Sequence, residues 1–158
     1  MYRQQLQEAS SEKDLGVIVS NDLKVVKQCQ EAYSKSNRML GLIHRTIRYK
    51  NQNVLVSLYK SIVRLHLENC SVVWSPHYTK DKDLLERVQH RFTRMFPDLR
   101  KMPYDERLRK LGLWSLEERR SRADLTEIFK MVKGITAVPW THFLLVLKAT
   151  EQGATAGS

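Results

Sequence analysis

The sequence predicts an all-α domain: an irregular bundle of about five helices, with a short β-strand before it and a loose tail after it. Three observations predict this. Apolar residues recur at steps of three and four in successive segments between residues 22 and 134. Those segments are punctuated by helix starts such as Asn51 and Ser115 and by stops such as Pro97, Gly112 and Gly134. One short run alone, Leu15-Gly-Val-Ile-Val19, is β-branched and bounded by the turn residues Asp14 and Ser20-Asn21.

Each element follows from its residues. The strand over 15–19 has no convincing partner elsewhere in the sequence, so its backbone groups are expected to stay unpaired. A first helix is expected over 22–48, with Val26, Cys29, Tyr33, Leu40, Ile43 and Ile47 on one face and Gly41 weakening its centre. A second starts at Asn51, whose side chain suits an N-cap, and carries Leu55, Leu58, Ile62 and Leu65 before the chain reaches Pro76. A third is capped by Thr79, with Asp81 and Asp83 at the positive end of its dipole. It buries Leu84, Leu85, Val88, Phe92, Met95 and Phe96 and stops at Pro97. A fourth runs from Pro103 to Gly112 with Tyr104, Leu108 and Leu111 on a common face. A fifth opens with Ser115-Leu-Glu-Glu118, a capping box, and its expected core stripe is Leu125, Ile128, Phe129 and Val132.

Composition narrows the class. The chain has 158 residues, 6 Gly and 4 Pro, which excludes collagen-like and linker-like sequences. Its 2 cysteines, Cys29 and Cys70, exclude a disulfide scaffold and suit a reducing compartment. The longest apolar run, in the segment 135–147, is too short to span a bilayer, and the first residues lack a secretory pattern. A soluble intracellular protein without membrane association is expected, nuclear or cytoplasmic alike. The net charge of +10 is concentrated: −1 over residues 1–20, +6 over 21–70, +5 over 71–133 and 0 over 134–158. A basic middle favours polyanions, nucleic acid first.

Several blocks in unbroken order carry a family resemblance: KDLGVIVSNDL, NRMLGLIHR, LYKSIVRLHLENCSVVWSPHYTKD, and the long run from LERVQHRF to FKMVKG. Across residues 12–134 the chain resembles the C-terminal part of the reverse transcriptase of non-LTR (LINE-type) retrotransposons, of the jockey and chicken-repeat-like clades. The resemblance implies that residues 15–19 are the last palm strand. It also implies that the helices after them are thumb-like and hold an RNA–DNA or other duplex through its phosphates. The family's polymerase chemistry uses an adjacent pair of aspartates to hold two metal ions, and this chain has no adjacent Asp pair. What is expected is therefore a truncated, non-catalytic remnant of an RNA-directed DNA polymerase. It has an N-terminal tail (1–11), a thumb-like domain (12–134) and a divergent, partly disordered tail (135–158).

The candidate phosphate contacts are Arg91, Arg94, Lys60, Arg64, Arg119 and Arg120, in falling order. Arg87, Arg91 and Arg94 lie on one helical face, and Arg91 has no acid three or four residues before it, whereas Asp83 can neutralise Arg87. Lys60 and Arg64 repel each other one turn apart, a repulsion that a polyanion or Glu68 would relieve. Arg119 and Arg120 belong to the densest basic cluster. Against each stands the ordinary reading of a solvated, ion-paired face. Trp74, beside Pro76, is expected to pack rather than to stack on bases. The five histidines show no metal spacing and no glycine loop fits a phosphate, so neither a metal nor a cofactor is expected. The rival function is a helical protein-interaction module, built on apolar surface that a palm would have covered. A third reading, an active reverse transcriptase, is opposed by the missing carboxylates, and a remnant without function is the fourth.

Overall fold

The computed structural model describes residues 10–48 and 51–136. It is mostly α-helical, with one two-stranded antiparallel sheet at the start. The expected tails, 1–11 and 135–158, lie almost wholly outside the described residues, as does the apolar segment 140–147. The chain divides into two compact units, residues 1–120 and 121–158, and the boundary falls inside the last helix.

The unpaired strand is corrected to a hairpin. Strand β1 (Ser11–Asp14) pairs with β2 (Val17–Ser20), Asp14 opposite Val17 and Ser11 opposite Ser20. Leu15 and Gly16, expected inside the strand, are the two central residues of the turn, with φ of +46° and +85°. Positive φ at both positions gives the mirror-image turn whose twist suits a tight hairpin. The partner strand Ser-Glu-Lys-Asp has little β-propensity and is largely exposed, which is why its composition does not announce it. Gln28 ties the hairpin down: its side-chain oxygen accepts the backbone N–H of Ile18 at 2.8 Å.

Helix α1 (Val26–Thr46) begins four residues later than the spacing suggests. Upstream, the Asp22 carboxylate accepts the N–H of Lys24 at 3.1 Å and Leu23 sits at φ +53°, so a local turn wins over the helix. Cys29, Ala32, Ser36, Leu40 and Ile43 form the buried face. Asn51 caps α2 (Gln52–Leu58) as expected, accepting from the N–H groups of Asn53 and Val54 at 3.0 and 3.4 Å.

A π-helical turn (Tyr59–Val63) then joins α2 to α3 (Arg64–Glu68). The wider turn shifts the register of the buried face. The core is made by Leu55, Val56, Tyr59, Val63 and Leu67, while Ile62 and Leu65, expected inside, are exposed. Cys70, at φ +54°, breaks the helix, and the short α4 (Ser71–Trp74) follows. Trp74 packs inside as expected, its indole N–H donating to the Asn69 carbonyl at 2.6 Å.

Helix α5 (Thr79–Thr93) packs along α1 and carries the core residues Leu85, Val88 and Phe92. Tyr78, not Thr79, holds its N-cap position, without a side-chain cap. Phe92 stacks on Tyr59 with ring centroids 4.1 Å apart and meets Phe96 edge-on at 5.5 Å. The helix ends at Thr93, short of the expected stop at Pro97, and Pro97 instead opens a 3-10 turn, Pro97–Leu99. Helix α6 (Tyr104–Leu111) closes on Gly112 at φ +60°, where the N–H groups of Gly112 and Leu113 turn back to the Arg109 and Leu108 carbonyls.

The capping box opens α7 (Leu116–Val132). The Ser115 hydroxyl accepts the N–H of Glu118, and the Glu118 carboxylate accepts the N–H of Ser115, each at 3.2 Å. The core stripe expected further along α7 is corrected: Leu125, Ile128, Phe129 and Val132 are exposed. They belong to the second unit, whose described residues, 121–136, contain no second element for them to pack on.

Candidate nucleic-acid interface

A buried polar network fixes the roll of α5 and so decides which of its residues face water. Gln89 is fully buried. Its carbonyl oxygen accepts the Tyr59 hydroxyl at 2.7 Å, and its amide nitrogen donates to the Trp114 carbonyl at 2.9 Å and to the Tyr104 hydroxyl oxygen at 3.1 Å. Tyr104 in turn donates to the Glu86 carboxylate, which also accepts the N–H of Leu116 at 3.0 Å. Burial raises the Glu86 carboxyl above its ordinary value, against the lowering effect of those two hydrogen bonds. With Gln89 and Glu86 held inward, Asp83, Arg87, Arg91 and Arg94 are left on the solvent side.

The six expected contact residues fall into two groups. Arg91 and Arg94 are exposed on α5, and Lys60 is exposed on the π-helical turn. Arg91 bridges to α1, its guanidinium donating to the Asn37 side-chain oxygen at 3.2 Å. Arg64, Arg119 and Arg120 turn inward instead. Glu68 takes both of the first two: Arg64 approaches it at 3.6 Å, and Arg119 grips it with two nitrogens, the second at 3.0 Å. That fork is the strong carboxylate geometry of arginine, and it raises the Arg119 guanidinium further above its ordinary value. Arg120 is 6% exposed, donates to the Leu67 carbonyl at 2.9 Å and lies over the Trp74 ring at 5.5 Å. These three arginines have structural partners in the fold.

Two basic residues outside the expected six bear on the interface. Arg107 of α6 is 4% exposed and donates to the Thr93 hydroxyl at 2.9 Å at the end of α5. Its position three after Tyr104 and four before Leu111 places it on the apolar face of α6, the signal that marks it in the sequence. Arg100 donates from Nε to the Arg94 carbonyl at 3.0 Å. Among the described residues, no carboxylate lies within 4.0 Å of the guanidinium groups of Arg87, Arg91, Arg94, Arg100 or Arg107. Also among the described residues, no three His, Cys, Asp or Glu side chains come together as a metal site would require. Burial pushes the Cys29 thiol up to about 11, which makes it an inert core residue.

No family model matches the chain, and no curated protein and no solved structure matches it either.

Proposed function

We propose that the chain is a non-catalytic, thumb-like remnant of a LINE-type reverse transcriptase that binds an RNA–DNA hybrid or a similar duplex through its phosphates. The observation that carries the reading is the solvent face of α5. Arg87, Arg91 and Arg94 stand there on a helical frame with no acid partner among the described residues, while Arg64 and Arg119 share Glu68. Basic side chains on a fixed helical frame suit the regular spacing of a phosphate backbone. Lys60 extends the exposed basic surface of the same unit. The family resemblance over 12–134 supplies the polymerase origin, which implies an intracellular protein. No helix among the described residues is long and apolar enough to cross a membrane.

The test is fluorescence anisotropy of a labelled RNA–DNA hybrid with the full chain at low salt. The reading expects saturable binding that the double substitution Arg91→Ala/Arg94→Ala weakens at least several-fold. A folded chain that leaves the hybrid free under these conditions contradicts it.

A second reading rests on a separate observation. In the second unit, Leu125, Phe129 and Val132 expose an apolar side of α7. Such a face suits a protein partner. Association driven by it persists as salt rises, whereas phosphate binding weakens steeply.

A further inference from the structure

The α5–α6 junction contains a buried charge that is only partly compensated. Arg107 is 4% exposed, its Nε is buried without a hydrogen-bond partner, and among the described residues no carboxylate lies within 4.0 Å of it. Elsewhere the same chain solves the same problem in the usual way, by setting Glu68 between Arg64 and Arg119. Around Arg107 the compensation is partial. Its guanidinium donates to the Thr93 hydroxyl, reaches the His90 carbonyl at 3.5 Å and lies over the Tyr104 ring at 5.3 Å. More positive charge gathers nearby. Arg94 acts electrostatically on both Arg107 and His90, and Arg100 is anchored on the Arg94 carbonyl. Asp83 and Asp105 are the acids that act on His90, each more weakly than the two arginines.

Arg94 and Arg100 are exposed, and two carbonyls near the end of α5, those of Arg94 and His90, are engaged by Arg100 and Arg107. What the cluster lacks, among the described residues, is an anion within ion-pair reach, and guanidinium forks pair with phosphate oxygens as they do with carboxylates. We propose that the α5–α6 junction is a phosphate-group site, with Arg94 and Arg100 as its ligands and Arg107 as the buried charge behind them. As a contact for a nucleic-acid phosphate, the site rests on the function proposed above. As a site for free phosphate, it stands independently.

His90 is the built-in reporter. Its ring stacks on Tyr104 with centroids 3.5 Å apart, and one ring nitrogen lies 3.5 Å from the Arg107 guanidinium. A dianion at the junction offsets the nearby cations and moves the titration midpoint of His90 upward. The experiment follows the assigned His90 ring resonance of the full chain by NMR across pH, with inorganic phosphate against chloride at equal ionic strength. Hybrid binding is measured in parallel. The site predicts an upward shift with phosphate, abolished in Arg94→Gln/Arg100→Gln. It also predicts a salt dependence of hybrid binding that is shallower by about one contact in Arg100→Gln. A His90 midpoint that phosphate leaves in place overturns the site, even if the hybrid binds. A shift that survives the double substitution overturns it too. A phosphate-dependent shift in a chain that ignores the hybrid keeps the site and removes the proposed function.

Discussion

Glu68 decides the role of two basic residues. It sits between Arg64 and Arg119, with side-chain exposures of 16% to 34% across the three groups, so one carboxylate holds both arginines. Replacing Glu68 with Ala leaves two half-buried cations facing each other. The expected loss of stability is about 1–3 kcal/mol by urea denaturation, below the cost of breaking a fully buried pair because solvent still reaches these groups. Exposed Lys60→Ala should stay within about 0.5 kcal/mol in the same assay.

His90 gives a second prediction at this scale. Burial first, then the charges of Arg107 and Arg94, hold it below its ordinary value of 6.5. Between that depressed value and 6.5, the unfolded chain binds a proton that the folded chain refuses. His90 therefore favours the folded state fully above 6.5, and that contribution fades as pH falls through the window beneath it. His90→Gln should flatten that part of a stability profile measured from pH 7.5 to 5, and an unchanged slope would contradict the assignment. The Arg64–Glu68 spacing was readable in the sequence as a local pair. The grip of Arg119 on Glu68 was not, because those residues meet across 51 positions.

At the scale of elements, what was legible was what is decided locally. The Asn51 cap, the Ser115–Glu118 box and the Gly112 turn all follow from neighbours in sequence, and all stand in the structure. The departures come where a local rule is broken by something nonlocal or unmarked. One π-helical turn moves the buried face onto Tyr59, Val63 and Leu67, and residue spacing does not announce such a turn. The hairpin turn uses Leu15 where Asn or Gly is usual, so the run reads as one strand. Leu15 is 86% exposed and held at φ +46°, which costs energy and buries nothing. Leu15→Asn should raise stability by about 0.5–1 kcal/mol, visible as a higher urea midpoint with an unchanged m-value. A lower midpoint would mean that Leu15 has a contact beyond the hairpin.

At the scale of the whole molecule, the net charge of +10 made a polyanion the expected partner without giving it a place. The fold sorts the arginines. Burial and Glu68 absorb Arg64, Arg119 and Arg120, and the roll of α5, fixed by Gln89, leaves Arg87, Arg91 and Arg94 facing water. Of the six residues expected from sequence, this sorting keeps Arg91, Arg94 and Lys60 on the surface, and it adds Arg100 there, with Arg107 buried behind it. The central claim is that the exposed set, and not the inward set, meets phosphate.

The most direct test compares the salt dependence of hybrid binding for the wild type, Arg91→Ala/Arg94→Ala and Arg119→Ala. Each phosphate contact contributes about −0.9 to the slope of log K against log salt on duplex DNA. The account predicts a slope shallower by about two contacts in the α5 double variant. It predicts an unchanged slope in Arg119→Ala, which should lose folding stability instead. An Arg119→Ala slope that flattens while the α5 variant matches the wild type would contradict the account.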